Sequence, residues 1–235
     1  MNRLSVVIIT YNSEKYIEDA IKSAVFADEI FVLDSGSSDQ TIKIAKNLGV
    51  RIEFQPWLGF GKQKQRAVEL AKNDWVFVLD SDERITINLQ REIINILKNP
   101  VYKAYYVPRL NNFWGKKIKY LGLYPDYSIR LFDKKVAKFN QLEVHESIEC
   151  NYKKGYLKNH LIHLAYESIE EFIAKQNRYS SLGAKPNKLK AIFSPIWTFF
   201  KLYILKLGFI EGWRGYIIAK LYSQYTFWKY IKDKK

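Results

Sequence analysis

The tetrapeptide Phe-Val-Leu-Asp occurs twice in this chain, at 31–34 and at 77–80, each time closing an apolar run of strand length and each time delivering a carboxylate at its end. Runs of this kind, apolar without alternation, belong to parallel strands covered on both faces. Leu4 to Ile9 is a third such run, and "RIEF" at 51–54 is a short fourth. Helical patterns separate them. Ile17, Ala20, Ile21, Ala24 and Val25 recur at helical spacing behind a cap at Asn12 or Ser13; Ile42, Ala45 and Leu48 do so behind Ser37 or Ser38, with Gly49 as a stop; "GKQKQRAVELAKN" (61–73) makes a third helix. Strand and helix in alternation predict βαβ units and a doubly wound, mostly parallel sheet.

Beyond residue 100 the segments become shorter and aromatic, as in "KAYYVPRLNNFWGKKIKYLGLYPDYSIRLFDKK", which predicts mixed or antiparallel strands with loops. "SIEEFIAKQNRYSSLGAK" reads as an amphipathic helix ending near Gly183, with Ile169, Phe172, Ile173 and Gln176 on one side. Pro186 to Lys190 is the expected boundary. The division is thus 1–185, itself halved near residue 100, followed by a tail from 186 to 235.

The formal net charge is +14, which points to an anionic partner. More than half of that surplus lies from 186 onward, where ten Lys or Arg face two acids and 13 of the 37 aromatics collect. The longest uncharged run there, Ala191 to Phe200, is half of what a spanning helix needs. Interfacial helices are expected, with Trp197, Trp213 and Trp228 near lipid headgroups and lysines reaching an anionic surface. A helical pair packed on the rest of the chain or on a partner is the other reading, and the two are compatible. The single cysteine, Cys150, has no internal disulfide partner, and the apolar run at the N-terminus is short for a signal peptide; a cytoplasmic setting is expected. No RRM-like or KH-like signature supports nucleic-acid binding. The early Gly-rich phosphate loop of a nucleotidyltransferase is also missing.

Ligands of open α/β sheets collect beyond the carboxyl ends of the strands, so Asp34 and Asp80 should face one crevice. Asp80, Asp82 and Glu83 crowd together, and an extended segment points Asp80 and Asp82 the same way. A hard divalent cation, Mg2+ or Mn2+, would relieve their repulsion and keep coordination positions for phosphate oxygens. The alternative is that both aspartates cap a helix starting near Thr86, with Arg84 neutralising them. In the turn Asp34, Ser35, Gly36, Ser37, Asp39, small residues let backbone N–H groups approach a ligand, although an ordinary capped turn has the same composition.

The segments "VVIITYN", "VLDSGSSDQT", "GFGKQKQRAVELAKNDWVFVLDSDE" and "LEVHESIE" occur in an order that resembles the family 2 glycosyltransferases of GT-A fold, above all the lipopolysaccharide core branch. The resemblance covers about residues 1–185 closely and the tail more loosely. It implies a Rossmann-like α/β catalytic domain with a helical, aromatic and basic membrane-associating extension, and a metal-dependent transfer from a nucleotide diphosphate sugar. It implies that Thr10, Tyr11, Asn12, Asp34, Gly36 and Asp39 contact uridine or its counterpart, and that Lys62 and Arg66 approach base or phosphates. Asp80 would touch the ribose or the metal, and Asp82 would ligate the metal. Many members have two adjacent acids where this chain has Asp34-Ser35.

Displacement at an anomeric carbon needs a base for the acceptor hydroxyl. The resemblance assigns that role to Glu146 with inversion, leaving His145 to orient it or to bind acceptor. Asp126 and Arg130 would form a nearby pair contacting substrate. His163 is either a further metal ligand or a hydrogen-bonded core residue, and Arg178 in "QNRY" would contribute to the acceptor or diphosphate pocket. The expected reaction moves a hexose, glucose, from a UDP-sugar to a lipid-linked core saccharide such as heptose, at the inner face of the cytoplasmic membrane. Transfer to polyprenyl phosphate or a capsule precursor is an alternative, and a basic RNA-binding or membrane-tethering module is the non-enzyme alternative.

Overall fold

The structure, a computed structural model, describes residues 2–140 and 147–233. The chain divides into two compact units: Met1–Arg109 with Asp126–His163, and Leu110–Pro125 with Leu164–Lys235. The second unit therefore takes in more than the tail from 186; the loop after residue 110 and the helix ending at Leu182 belong with it.

The first unit alternates as expected through β1 (Leu4–Thr10), α1 (Ile17–Ser23), β2 (Glu29–Asp34), α2 (Thr41–Asn47), β3 (Arg51–Phe54), α3 (Phe60–Leu70) and β4 (Trp75–Asp80). There follow β5 (Glu83–Ile85), α4 (Ile87–Lys98), β6 (Ala104–Phe113), β7 (Lys116–Lys117), β8 (Asp126–Asp133), β9 (Ala137–Phe139), β10 (Ile148–Cys150), β11 (Lys154–Tyr156) and β12 (Leu161–Tyr166). The main sheet runs β3-β2-β1-β4-β8-β6-β12-β5, with β7 and β11 on β6, while β9 and β10 form a separate pair. Its first four strands are parallel; β8 then pairs antiparallel with both β4 and β6. The sheet as a whole is mixed, as the aromatic middle of the sequence predicts.

All seven residues of β1 are buried because both faces are covered. Leu4, Val6 and Ile8 share one core with Ile17, Ala20 and Ile21 of α1 and Leu89 and Ile93 of α4. Val7 and Ile9 point into the other, with Ala67 and Val68 of α3. Burial at this depth contributes roughly 1.5–3 kcal/mol per large apolar side chain.

Three local expectations change. Neither Asn12 nor Ser13 caps α1, whose N-cap is Tyr16; instead the Ser13 carbonyl accepts from Tyr16 and Ile17 N–H. The helix also stops at Ser23, which leaves Val25 exposed. Ser37 and Ser38 do not cap α2, which starts after Gln40, because their hydroxyl and N–H groups are spent on Asp34 and Asn12. Thr86 does cap α4, accepting from Leu89 N–H at 3.3 Å, so neither Asp80 nor Asp82 serves as the cap.

The second unit holds α5 (Ile169–Leu182), α6 (Lys188–Phe200), a π-helical turn (Lys201–Leu205), a 3-10 turn (Gly208–Glu211) and α7 (Trp213–Ile231). Ser168 caps α5 and Gly183 ends it, but its buried face is Phe172, Gln176 and Ser180, and Ile173 is exposed. Phe172 packs with Phe113, Ile118, Leu121, Tyr166, Ile218 and Ala219. Gly215 of α7 has to be glycine, since a Cβ there would lie 1.8 Å from the Gly208 carbonyl oxygen. Among the described residues no helix is long and apolar enough to cross a membrane.

Candidate functional site

Parallel register brings the strand ends together. Thr10 lies opposite Asp34 across β1 and β2, and Ile9 lies opposite Asp80 across β1 and β4, so Thr10, Asp34 and Asp80 end neighbouring strands at one sheet edge. Ser81 donates to, or accepts from, Ser13 at 3.1 Å, tying the turn after β4 to the loop after β1.

The loops after β1 and β2 are laced into one platform. Buried Asp34 accepts from Gly36 N–H at 2.7 Å, Ser37 N–H at 2.9 Å and Ser37 Oγ at 2.5 Å. Gly36 has φ +100°, a conformation that favours glycine. Asn12 donates its N–H to Ser37 Oγ and accepts from Ser38 N–H, both at 2.9 Å. Asp39 accepts from Glu14 and Thr41 N–H at 3.0 Å. Burial works against the Asp39 anion, but those donors and the Thr41 hydroxyl hold its carboxyl below the usual range. Asp34 and Asp39 thus shape the platform with their side chains engaged, while Tyr11 stands exposed beside it. Thr10 Oγ1 is buried with no hydrogen-bond partner among the described residues. A buried hydroxyl left so needs a partner from outside the chain, water or ligand.

The acids that follow β4 do not share one direction. The strand stops at Asp80, Ser81 and Asp82 make a turn, and Glu83 opens β5. Asp80 pairs with Lys64 Nζ at 3.0 Å and Arg130 Nη2 at 3.1 Å. Burial opposes its charge, but Lys64 and Arg130 together hold the carboxyl far below the ordinary range. Glu83 has no exposed surface; it accepts from Asp80 N–H at 3.0 Å and Arg130 Nη2 at 2.6 Å. Burial, reinforced by the neighbouring Asp80 charge, pushes Glu83 up. Burial likewise opposes the Arg130 charge, yet Glu83 and Asp80 outweigh it and raise the guanidinium further. Asp82 pairs with neither cation; its Oδ2 lies 3.4 Å from His163 Nε2. His163 sits opposite Glu83 in the antiparallel β5–β12 pair, which is what carries its ring to this turn.

Asp126 and Arg130 do not pair with each other. Asp126 lies directly across from Arg109 and accepts from its Nε at 2.9 Å and Nη2 at 2.5 Å. The β6–β8 register slips between Tyr105 and Tyr106, so Arg130 is the extra, bulged residue. A bulge re-aims the side chain it carries, here toward Asp80 and Glu83. Lys62 and Arg66 are exposed, and Arg66 approaches Glu69 at 3.7 Å. Lys64, between them, is the basic residue of α3 that faces the sheet. Gln63 is fully buried beside it and donates to Ser35 Oγ at 3.0 Å and to the Gln55 carbonyl at 3.2 Å. The sequence offered a signal for Lys64: Gly61, Lys64, Ala67, Val68 and Ala71 fall on one helical face. Arg178 is exposed on α5 in the second unit. Glu143, His145 and Glu146 lie outside the described residues.

Next to the cation–acid cluster opens a cleft of about 730 Å³, lined among others by Lys64, Asp80, Arg109, Tyr127, Arg130 and Lys154. It is large enough for a sugar and part of its carrier. Among the described residues no group of three or more His, Cys, Asp or Glu is arranged around a metal position. Asp82 with His163 is a two-donor oxygen and nitrogen pair, and that fits Mn2+ or Mg2+ of the kind that completes its shell with water and phosphate oxygens.

Residues 5–164 match the family model described as glycosyl transferase family 2. The chain is 32% identical to an "Uncharacterized glycosyltransferase" of Rickettsia bellii, over 98% of this chain and 85% of that one. It is 29% identical to the lipopolysaccharide core biosynthesis glycosyltransferase LpsC of Rhizobium meliloti, over 95% and 89%. Among solved structures, TarS 1–349 of S. aureus superposes with a TM-score of 0.51 at 17% identity, covering 92% of this chain and 78% of that one. The same protein is also solved with UDP and with UDP-GlcNAc. The parallel half-sheet with its strand-tip platform, the antiparallel half beside it and these matches agree on a GT-A glycosyltransferase: the chain belongs to glycosyl transferase family 2.

Proposed function

We propose that this glycosyltransferase moves a hexose, glucose, from a UDP-linked donor to a lipid-linked core saccharide of the lipopolysaccharide type, such as a heptose, working at the inner face of the cytoplasmic membrane. The observation that carries the reading is the platform at one sheet edge, where Thr10, Asn12 and the Asp34–Asp39 turn meet Asp80. The likeness to LpsC along nearly the whole chain supports the class of acceptor. UDP is the nucleotide named with TarS, and it is carried here as part of the proposal.

In this reading Tyr11 and the Thr10 hydroxyl contact the nucleoside. The platform's N–H groups, already donated to Asp34, Ser37, Asn12 and Asp39, fix its shape and do not take up the ligand, contrary to what the turn's small residues suggest. Asp80, fixed by Lys64 and Arg130, meets the ribose. Asp82 and His163 hold Mg2+ or Mn2+, which when bound offsets the charge of the diphosphate. Glu146 takes the proton of the acceptor hydroxyl as the new bond forms at the anomeric carbon and the bond to UDP breaks, giving inversion. Arg109, beside the cleft, is placed to contact acceptor or leaving group.

A panel of UDP-, GDP- and ADP-sugars, each with and without Mn2+, tests this by thermal stabilisation. A ligand that binds only the folded chain adds about 2.7 kcal/mol at a hundred times its Kd. UDP-glucose with Mn2+ should raise Tm, and Asp82→Asn should remove the part that depends on the metal. If no nucleotide sugar shifts Tm, the donor assignment is wrong.

A further inference from the structure

The second unit has an apolar core around Phe172, yet one apolar face of α6 is left outside it. Along α6, Leu189, Ile192, Phe193, Ile196, Trp197 and Phe200 follow the spacing of one helical face, and each is between 44% and 70% exposed. An apolar stripe of this regularity normally faces a core. Here the side of α6 that meets α7 is a different one: Ala191 is buried, Ser223 Oγ donates to the Pro195 carbonyl at 2.8 Å, the hydroxyls of Thr198 and Thr226 lie 3.3 Å apart, and Phe199 packs edge-on against Tyr216 at 5.6 Å. Exposed Ile204, Leu205, Leu207, Phe209, Ile210 and Trp213 follow it in the chain. Contiguous apolar surface on this scale marks an interaction site.

Charge decides what covers it. Lys188, Lys190, Lys201, Lys206 and Lys220 are all exposed on the same unit. From 186 onward the only acids are Glu211 and Asp233, and Glu211 is buried against Lys116 at 2.9 Å. The unit's exposed acids, Glu167, Glu170 and Glu171 around the start of α5 and Asp233 after α7, lie outside the stretch from Lys188 to Trp213, so a second copy docked on this face by two-fold symmetry would set the stretch's lysines against lysines. Lysine is also depleted from the cores of protein interfaces. Apolar and aromatic residues flanked by lysines are what an interfacial helix presents to a bilayer. We propose that the outward stripe of α6 and its continuation to Trp213 is the lipid-docking surface of this chain, lying in the plane of an anionic bilayer with its apolar side chains about 5–10 Å into the headgroup boundary. The proposal deepens the membrane-surface part of the reading above, while its residues lie wholly in the second unit. It also moves the anchoring role away from Trp228, which is half-buried with Lys232 over its ring at 5.7 Å.

Flotation of the full-length chain with phosphatidylglycerol–phosphatidylcholine vesicles, without donor or acceptor, isolates this inference from catalysis. The wild-type chain should float with the anionic vesicles, bind much less to phosphatidylcholine alone, and release as salt is raised. The double variant Ile196→Glu/Trp197→Glu should require at least about tenfold more lipid, since two large apolar contacts are replaced by charges that repel the surface. Both positions are exposed, so Tm and stabilisation by UDP-glucose should match wild type. Loss of donor stabilisation with intact flotation would count against the donor reading and leave the docking surface standing. Equal flotation of variant and wild type overturns the proposal. So does a light-scattering mass of two chains in wild type that falls to one in the variant without any vesicle binding, because the stripe would then be a dimer interface.

Discussion

Arg130 is the residue whose removal should be felt most. Its guanidinium lies 2.6 Å from Glu83 and 3.1 Å from Asp80, and its side chain is 7% exposed against 0% for Glu83. Arg130→Met keeps the length and most of the volume but leaves Glu83 buried without its closest cation; Arg109 Nη1, at 3.8 Å, is a distant substitute. Breaking a buried pair from one side costs about 3–5 kcal/mol, because the surviving charge has neither water nor partner. At roughly 2–4 °C per kcal/mol for a chain of this size, Tm should fall by about 6–20 °C. Removing both partners tells repulsion and packing apart. In Arg130→Met/Glu83→Gln no uncompensated carboxylate remains at 83, so the double variant should recover at least about half of the single-variant loss, measured by urea unfolding as a double-mutant cycle. Asp80 keeps Lys64 in both variants, which limits the recovery. A single-variant loss below about 1 kcal/mol, or a double variant no more stable than Arg130→Met, would refute the idea that Glu83 depends on Arg130 for its burial.

Glu146→Gln should lower turnover by about 100-fold or more while leaving UDP binding by calorimetry within about twofold, as expected for a group that acts on the acceptor proton; equal losses in both would remove it as the base. Gln63→Ala deletes the buried carboxamide that ties Ser35 to Gln55, so donor KM should rise several-fold with kcat little changed, alongside a stability loss of about 1–3 kcal/mol in thermal melts. An unchanged KM would make Gln63 purely structural. Burial works against the Glu211 charge, but Lys119 and Tyr120 N–H groups and the Lys116 ammonium hold its carboxyl below the usual range. Its folded pKa is therefore lower than its unfolded one, and its contribution is fully present above the ordinary carboxylate range and lost as pH falls through the lowered value. Glu211→Gln should reduce stability at neutral pH and converge with wild type in acid, measured as Tm against pH; parallel curves would refute the linkage.

The parallel half of the sheet was legible because each strand is covered twice and so writes an unbroken apolar run, and because two strands end in the same carboxylate. The antiparallel half was legible only in kind. What positions Arg130 is a one-residue slip between β6 and β8, a property of the pairing that neither strand's own sequence carries. Closeness in the sequence put Asp126 and Arg130 together; pairing gave Asp126 to Arg109 and Arg130 to Asp80 and Glu83. Lys64 was a different kind of miss. Lys62 and Arg66 lie on one helical face and Lys64 on another, and the small residues Gly61 and Ala67 identify Lys64's face as the one against the sheet. The tail's chemistry was readable from its composition, but which face stays outward depended on how α6 meets α7. Trp228, picked by residue type, is half-buried, and of the stripe on α6 only Trp197 was picked.

The two aspartates of the Asp80-Ser81-Asp82 sequence end up with different tasks because the strand stops between them. Asp80 is enclosed by Lys64 and Arg130, and with Glu83 the four groups form two cations against two acids. A cluster balanced in this way has little net attraction for an incoming diphosphate, whose charge has to be met by other groups. Asp82 adds to the field that raises Arg130, but its own carboxylate lies 3.4 Å from His163 and makes no ion pair with Lys64 or Arg130. In the proposed reading it is the carboxylate that would share a divalent ion with the diphosphate, whereas Asp80 would first have to give up two cations. Asp80→Asn should therefore act mainly on the position of Lys64 and Arg130, and Asp82→Asn on metal affinity. A titration of Mn2+ into each variant separates them: if Asp80→Asn weakens Mn2+ as much as Asp82→Asn does, the division of labour between the two carboxylates is wrong.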